Sequence, residues 1–325
     1  MKQERFYLLP PLVREYLTYL VAVKGHSIGT VEQYANDLNL FLKYMVKYKG
    51  LYPASVPGEQ IDLSKLDISF FQSITLADAY QYAVYLKTVR KNNETTRKRR
   101  LIAVKRFWAY LTDNLLLLNT NPLITLETPK TKKSKPKYLT ASEATSLLRV
   151  IEGKNKERDF AIIALFLNCG LRLSELVSID YNHIKSDNTL IVNGKGNKER
   201  TVYLNDTCIK SITDYMAVRP KDGVKTKALF LSNRNQRISP RSVEVMVEKY
   251  LKKAGLDGRG LSVHKLRHTA ATLMYQYGGA DVLQLKEILG HENLSTTEIY
   301  THINNKTVKE TVDNNPMNIL KDDKE

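Results

Sequence analysis

Only two cysteines, Cys169 and Cys208, occur in the chain, so no disulfide framework can hold it together. Neither stands in a CxxC pair or at zinc-ligand spacing from a histidine, which argues against a structural zinc site. No apolar run reaches the ~18 residues that a membrane-spanning helix needs. Met1 to Pro10 lacks the apolar stretch of a signal peptide, so the expected location is the cytoplasm. The usual nucleotide and hydrolase signatures are missing too: there is no GxxxxGKS/T, no HExxH and no GxSxG. Gly194-Lys-Gly196 is too short for a dinucleotide fingerprint. Acidic residues are scarce, 34 against 50 basic ones, which leaves +16.

What is present suffices for real cores. Apolar residues make up 42% of the chain and charged residues 26%, which excludes a wholly disordered protein. A length of 325 residues suggests two domains. The basic excess is uneven. Residues 1–137 carry 22 basic and 11 acidic side chains, a net of +11, and residues 138–325 carry 28 and 23, a net of +5. Such an excess in one half is a footprint for a polyanion, with nucleic acid the favoured partner; a basic protein without such a partner is the plainer alternative.

The N-terminal half reads as helical. Apolar residues recur at three- and four-residue spacing in Leu12 to Val23 and Val31 to Met45. The second run opens with Thr30 and has Gln33 three residues on, a capping-box pattern. Residues 47–62 read as a loop, and a further helix is expected over Leu76 to Val89. In Thr96 to Leu111, the side chains of Leu101, Val104, Phe107, Trp108 and Leu111 form one stripe. Lys98 with Lys105, and Arg99 with Arg106, lie a heptad apart outside it. One face can therefore pack while another offers cations to phosphates, although a solvated basic face has the same pattern.

Residues 129–137 contain two prolines, five lysines and no apolar side chain, and read as a linker. Lys132, Lys133 and Lys135 in it could follow a DNA backbone, or simply solvate a tether. The expected organisation is a helical domain over 1–128, this linker, and a second domain over 138–325. The second domain is mixed. Thr140-Ala-Ser-Glu143 is a capping box leading into a helix from Ala144, and Phe160 to Cys169 reads as a buried helix. Thr189 to Val192 and Thr201 to Leu204 read as strands joined by turn residues, a β-hairpin. Helices are expected from Ser239-Pro240, over Ser262 to Tyr277, and over Val282 to Leu289 up to Gly290. Ser295-Thr-Thr-Glu298 is another capping box, with Tyr300 in the early turns of a short helix.

Several polar residues stand out as a set. His264 and Arg267 are three apart on one helix, and Arg172 and Glu175 repeat that spacing after Gly170. His264, His268 and His291 fall in one region, but no cysteine or paired carboxylate accompanies them, so no metal is expected. Taken singly, each has a structural explanation at least as good as a catalytic one.

Four segments together resemble the tyrosine recombinases, the phage-integrase family. They are Asn168-Cys-Gly-Leu-Arg-Leu-Ser-Glu-Leu176, Val192-Asn-Gly-Lys-Gly-Asn-Lys-Glu-Arg200, His264-Lys-Leu-Arg-His-Thr-Ala270 and Leu289-Gly-His-Glu-Asn-Leu-Ser-Thr-Thr-Glu-Ile-Tyr300, and they occur in the family's order. Gly25 to Leu40 and Thr95 to Leu111 look like that family's core DNA-binding domain. The resemblance implies a mainly α, two-domain fold: a helical core DNA-binding domain, then an α+β catalytic domain with a small antiparallel sheet, closing as a C-shaped clamp around the duplex.

The resemblance also implies roles. Arg172 and Arg267 look like the arginines that hold the scissile phosphate, Lys195 like the mobile catalytic lysine, and His264 and His291 like the two active-site histidines. Tyr300 looks like the nucleophile, and Glu175 matches an acidic position that orients the first arginine. The implied reaction is DNA strand cleavage and rejoining through a 3′-phosphotyrosyl intermediate, with no cofactor. The implied partners are double-stranded DNA with a short two-arm site and further copies in a tetramer, with or without a paralogous recombinase. The implied outcome is dimer resolution, integration and excision, or inversion, in a cytoplasmic, nucleoid-associated enzyme. A type IB topoisomerase-like enzyme and a non-catalytic DNA-binding regulator are the alternatives. Residues 46–75 look like an insertion, too little sequence precedes Leu12 for an arm-binding domain, and the tail after Tyr300 is expected either to dock on a neighbouring copy or to fray.

Overall fold

The computed structural model describes residues 6–130, 137–194 and 199–290. The chain divides into two compact units, Met1–Ser134 and Lys135–Glu325. No helix among the described residues is long and apolar enough to cross a membrane.

The first unit is built from α1 (Pro11–Ala22), α2 (Ile28–Tyr48), the short α3 (Ile68–Gln72), α4 (Leu76–Thr88) and α5 (Glu94–Ala109). A π-helical turn over Tyr110–Asn114 continues α5. Helix α2 starts earlier than the Thr30 pattern suggests, because Ser27 occupies the cap and accepts from the Thr30 N–H. Gln33 does not close a capping box; it donates to Asp37 one turn further on. The apolar stripe of α5 is buried as expected, with Leu101, Val104, Phe107, Trp108 and Leu111 all at 1% exposure or less. Trp108 stands edge-on to Phe41 of α2, with ring centres 5.4 Å apart.

Residues 46–75 are more than a surface excursion. Ile61, Leu63, Phe70, Phe71 and Ile74 are all buried in the core of this unit. Asp67 accepts from the N–H groups of Ser69 and Phe70, which starts α3 and turns Phe71 inward. Phe71 then lies against Phe107 and Trp108, with ring centres 5.5 and 5.9 Å away.

The second unit contains α6 (Ala141–Arg149), α7 (Lys156–Cys169), α8 (Leu173–Ser178), a hairpin of β1 (Thr189–Asn193) and β2 (Glu199–Tyr203), α9 (Asp206–Val218), α10 (Pro240–Lys253), α11 (Val263–Tyr277) and α12 (Val282–Leu289). The expected capping box at Thr140 and Glu143 is present with both hydrogen bonds. Every residue from Ala161 to Leu167 is buried, because α7 packs between α9 and α11. The hairpin is antiparallel, with Leu190 opposite Val202 and Val192 opposite Arg200. Side chains alternate across a strand, so Arg200 and Val202 share the face that meets the core. The thiols of Cys169 and Cys208 are free and buried, 3.7 Å apart.

If Phe71 is a core residue, Phe71→Ala should lower unfolding stability by about 3–5 kcal/mol, the usual cost of emptying a buried phenylalanine site. Urea denaturation followed by Trp108 fluorescence measures this. A cost near that of a surface substitution would show that residues 46–75 are peripheral to the unit.

Candidate active site

Helix α7 ends at Gly170, which takes the left-handed conformation (φ 59°) and returns its N–H to Phe166 O. A Cβ there would lie 2.7 Å from Leu289 Cδ2, so glycine satisfies both the backbone and the close approach of α12. Immediately after this turn, Arg172 stands at the start of α8 with extended backbone (φ −76°, ψ 151°). Its N–H donates to Glu175 Oε2 at 2.8 Å and its Nη1 to Glu175 Oε1 at 2.6 Å. The three-residue spacing of Arg172 and Glu175 is thus a direct ion pair.

Two further arginines converge on the same carboxylate. Arg200 Nη2, from β2, donates to Glu175 Oε2 at 2.9 Å, and Arg267 Nη1, from α11, lies 3.8 Å from that oxygen. Glu175 is fully buried. Burial by itself would raise its pKa, but the hydrogen bond and charge of Arg200, followed by the backbone and side-chain hydrogen bonds of Arg172, outweigh it and hold the carboxyl below its ordinary value.

The same arginines also clasp the end of α12, where helix carbonyls lack partners within the helix. Arg200 Nη1 donates to Ile288 O, Arg267 Nη2 to Leu289 O at 2.6 Å, and Arg172 Nη2 to Gly290 O at 2.8 Å. Arg267 Nη1 reaches Gly170 O at 2.6 Å. Three cations therefore gather around one anion, leaving a local excess of positive charge held in fixed geometry. Such a cluster suits a phosphate, whose oxygens accept from planar guanidinium forks.

The remaining expected residues are distributed as follows. His264 occupies the first turn of α11 and is exposed, whereas Arg267 on the next turn is buried, so the shared face runs from surface to core. His264 and Arg172 both line a cavity of about 690 Å³ bounded by α8, α10 and the start of α11. His268 is half-buried, and burial first, then the nearby Lys265, His264 and Arg267, pushes its pKa down to about 4, so it stays neutral at pH 7. Among the described residues no group of three or more His, Cys, Asp or Glu side chains could hold a metal ion. Lys195, His291 and Tyr300 lie outside the described residues, as do Lys132, Lys133 and Lys135.

In the first unit, Lys98, Arg99 and Arg106 line a groove of about 770 Å³ between α2 and α5, together with Thr30, Tyr34 and Asp37. The cations there are not equivalent. Arg99 is paired with buried Asp37 and Arg106 donates to Tyr34 Oη, while Lys105, which does not line the groove, donates to Leu126 O at 3.3 Å. Arg200 is the site residue to which the sequence reading assigned no role. A signal was available: it is a cation two residues before Val202 on the same strand, and so on the same face.

Residues 137–307 match the profile of the phage integrase family. The chain is 47% identical to the tyrosine recombinase XerC of Caldanaerobacter subterraneus subsp. tengcongensis, over 95% of its own length and 87% of that protein. The chain belongs to the phage integrase family. It is a tyrosine recombinase, an enzyme that cleaves and rejoins DNA strands site-specifically. Tyrosine recombinase XerC of Lactobacillus delbrueckii subsp. bulgaricus is 34% identical over 90% of this chain and 94% of its own. The topoisomerase-like and non-catalytic readings are not favoured by these relatives. The fold of the recombinase is shared with XerH site-specific recombinase bound to palindromic difH substrate (TM-score 0.67, 21% identity, 96% of each chain). It is shared as well with a lambda integrase dimer bound to a COC′ core site (TM-score 0.64, 16% identity, 88% of this chain and 95% of that one).

Replacing Glu175 with Gln leaves three arginines around a neutral amide, and loss of one partner from a buried ion pair costs about 3–5 kcal/mol. Because the folded-state pKa of Glu175 is depressed, its contribution is complete above the ordinary carboxylate value and fades as pH falls through the folded one. The stability gap between the unchanged protein and Glu175→Gln, read by urea denaturation, should therefore be wide at pH 7 and narrow towards pH 3. A gap independent of pH would show that charge is not what holds the cluster.

Proposed function

We propose that this recombinase exchanges strands between two copies of a short, two-arm DNA site, with Arg172 and Arg267 holding the scissile phosphate and Tyr300 attacking it. The observation that carries this reading is the arginine cluster around Glu175 at the C-terminal end of α12, directly before His291.

The chemistry follows from charge. Attack on a phosphodiester spreads negative charge over the phosphorus oxygens, and fixed cations stabilise that charge without any nucleotide cofactor. A phenol ordinarily titrates near about 10, so Tyr300 needs a base, for which His264 is suited. As the tyrosine oxygen bonds to phosphorus, the bond to the 5′-oxygen breaks, and Lys195 supplies the proton that oxygen takes up. His291 contributes a further donor to the phosphate. The 3′-phosphotyrosyl ester keeps the bond energy, so the reverse attack by a 5′-hydroxyl reseals the strand.

In this reading residues 1–128 are a core DNA-binding domain, 129–137 a basic linker with Lys132, Lys133 and Lys135 along the backbone, and 138–325 the catalytic domain. Lys98, Arg99, Lys105 and Arg106 would meet phosphates, with Lys98 and Arg106 contributing most, since Asp37 neutralises Arg99 and Lys105 is tied to Leu126 O. A homo-tetramer on paired sites, or one mixed with a paralogous recombinase, would carry out the exchange on nucleoid DNA in the cytoplasm. Likeness to XerC proteins along nearly the whole chain favours resolution of chromosome dimers over the integration of a mobile element.

The direct test is covalent trapping on nicked duplexes drawn from around the gene and from the replication terminus. The unchanged protein should yield a protein–DNA adduct on denaturing gels, and Tyr300→Phe should yield none while binding the duplex about as tightly. An adduct formed by the Phe variant would sink the assignment of the nucleophile.

For the groove between α2 and α5, Lys98→Ala together with Arg106→Ala should weaken binding to all sequences alike. The slope of log affinity against log salt should fall by about one to two units. An unchanged slope would place this groove away from DNA.

A further inference from the structure

Arg172 is oriented by two acceptors, the Glu175 carboxylate and Gly290 O. Arg200 braces both. It donates from Nη2 to Glu175 and from Nη1 to Ile288 O, two residues before Gly290. Its side chain is 13% exposed and reaches this position because β2 turns it to the same face as buried Val202. Gly290 makes room for it: a Cβ there would come within 2.8 Å of Arg200 Cδ, and the residue's left-handed backbone (φ 62°) turns the chain away after Leu289. Arg200 thus ties three separate segments, namely the hairpin, the start of α8 and the end of α12, at a single guanidinium.

We propose that Arg200 is a positioning residue for phosphate stabilisation: by holding Glu175 and Ile288 O near the end of α12, it sets the orientation of Arg172 and the spacing of Arg172 from Arg267. The proposal rests on the reading of those two arginines as the phosphate ligands. Without Arg200, Glu175 keeps Arg172, whose N–H still donates to Oε2, but it loses the guanidinium bonded to that oxygen, and Ile288 O loses the Arg200 donor. Each acceptor of Arg172 then has one brace fewer. Lysine restores the charge but not the fork, so it can serve Glu175 or Ile288 O and not both.

The consequence is specific to the charge on the phosphate, which gives a readout that a general loss of structure would not move. A methylphosphonate at the scissile position replaces one charged non-bridging oxygen with a methyl group. A site that has lost cationic stabilisation is therefore penalised less on it than on the phosphodiester.

The experiment measures single-turnover adduct formation by the full-length protein on a nicked duplex with either linkage. Arg200→Ala should slow phosphodiester cleavage by about 100-fold, the scale of losing one oriented donor, with DNA affinity little changed. On the methylphosphonate the defect should shrink to about tenfold or less. Arg200→Lys should fall between the two on the phosphodiester. If Arg200→Ala does not fold, Arg200→Lys carries the same comparison of the two linkages. Equal defects on both linkages, or none on either, would overturn the positioning role while leaving the assignment of Arg172 and Arg267 intact. Absence of any adduct with the unchanged protein, or an adduct with Tyr300→Phe, would instead overturn the underlying reading of the site.

Discussion

Glu175 is a fully buried carboxylate that accepts from Arg172 and Arg200 and lies beside Arg267. Removing a carboxylate from water is costly unless its lone pairs are filled, and here Arg172 and Arg200 fill them while the charge of Arg267 stands 3.8 Å away. The exchange works in both directions. The arginines are held rigid by the acid, and because there are more of them than it can neutralise, the cluster keeps a positive surplus. The C-terminal carbonyls of α12 add partial negative charge at the same place, which compensates the surplus without cancelling it.

Much of the second unit can be understood as the support for that cluster. Helix α7 is buried from Ala161 to Leu167 and ends at a glycine whose missing side chain lets Leu289 approach. That approach brings the end of α12 to the start of α8, where Arg172 and Glu175 stand. The hairpin contributes Arg200 from its inward face, and α11 contributes Arg267 from its first turns. Donors that need not move stabilise developing charge best, and the guanidiniums gathered around Glu175 are held in place by hydrogen bonds to fixed acceptors.

The first unit follows a different rule. Its groove between α2 and α5 carries cations whose charge is partly spent inside the protein, with Asp37 pairing with Arg99 and also standing 3.6 Å from Arg100. A basic helix read as a line of charges overstates what it can offer to phosphates, since cations that look alike in sequence differ in what already holds them. Residues 46–75 make the same point for packing. They lack a long helical period, yet Phe70 and Phe71 are part of the core, because a five-residue helix capped by Asp67 is enough to aim two aromatic rings inward.

Local chemistry was sufficient for most of the helices, for the Thr140 capping box and for the hairpin, because these depend on spacings of two to four residues and on turn residues. It also nominated the candidate set, since Arg172 with Glu175 and His264 with Arg267 are each written within one helical turn, and the order of the motifs carried the family. It did not extend to Arg200, to the cap at Ser27 or to the spent charge of Arg99. Arg200 meets Glu175 across 25 residues of chain, Arg99 meets Asp37 across 62 and Arg172 meets Gly290 O across 118. No local period encodes such encounters. They arise only when buried helices close on one another and each polar group must find a partner in the space that remains.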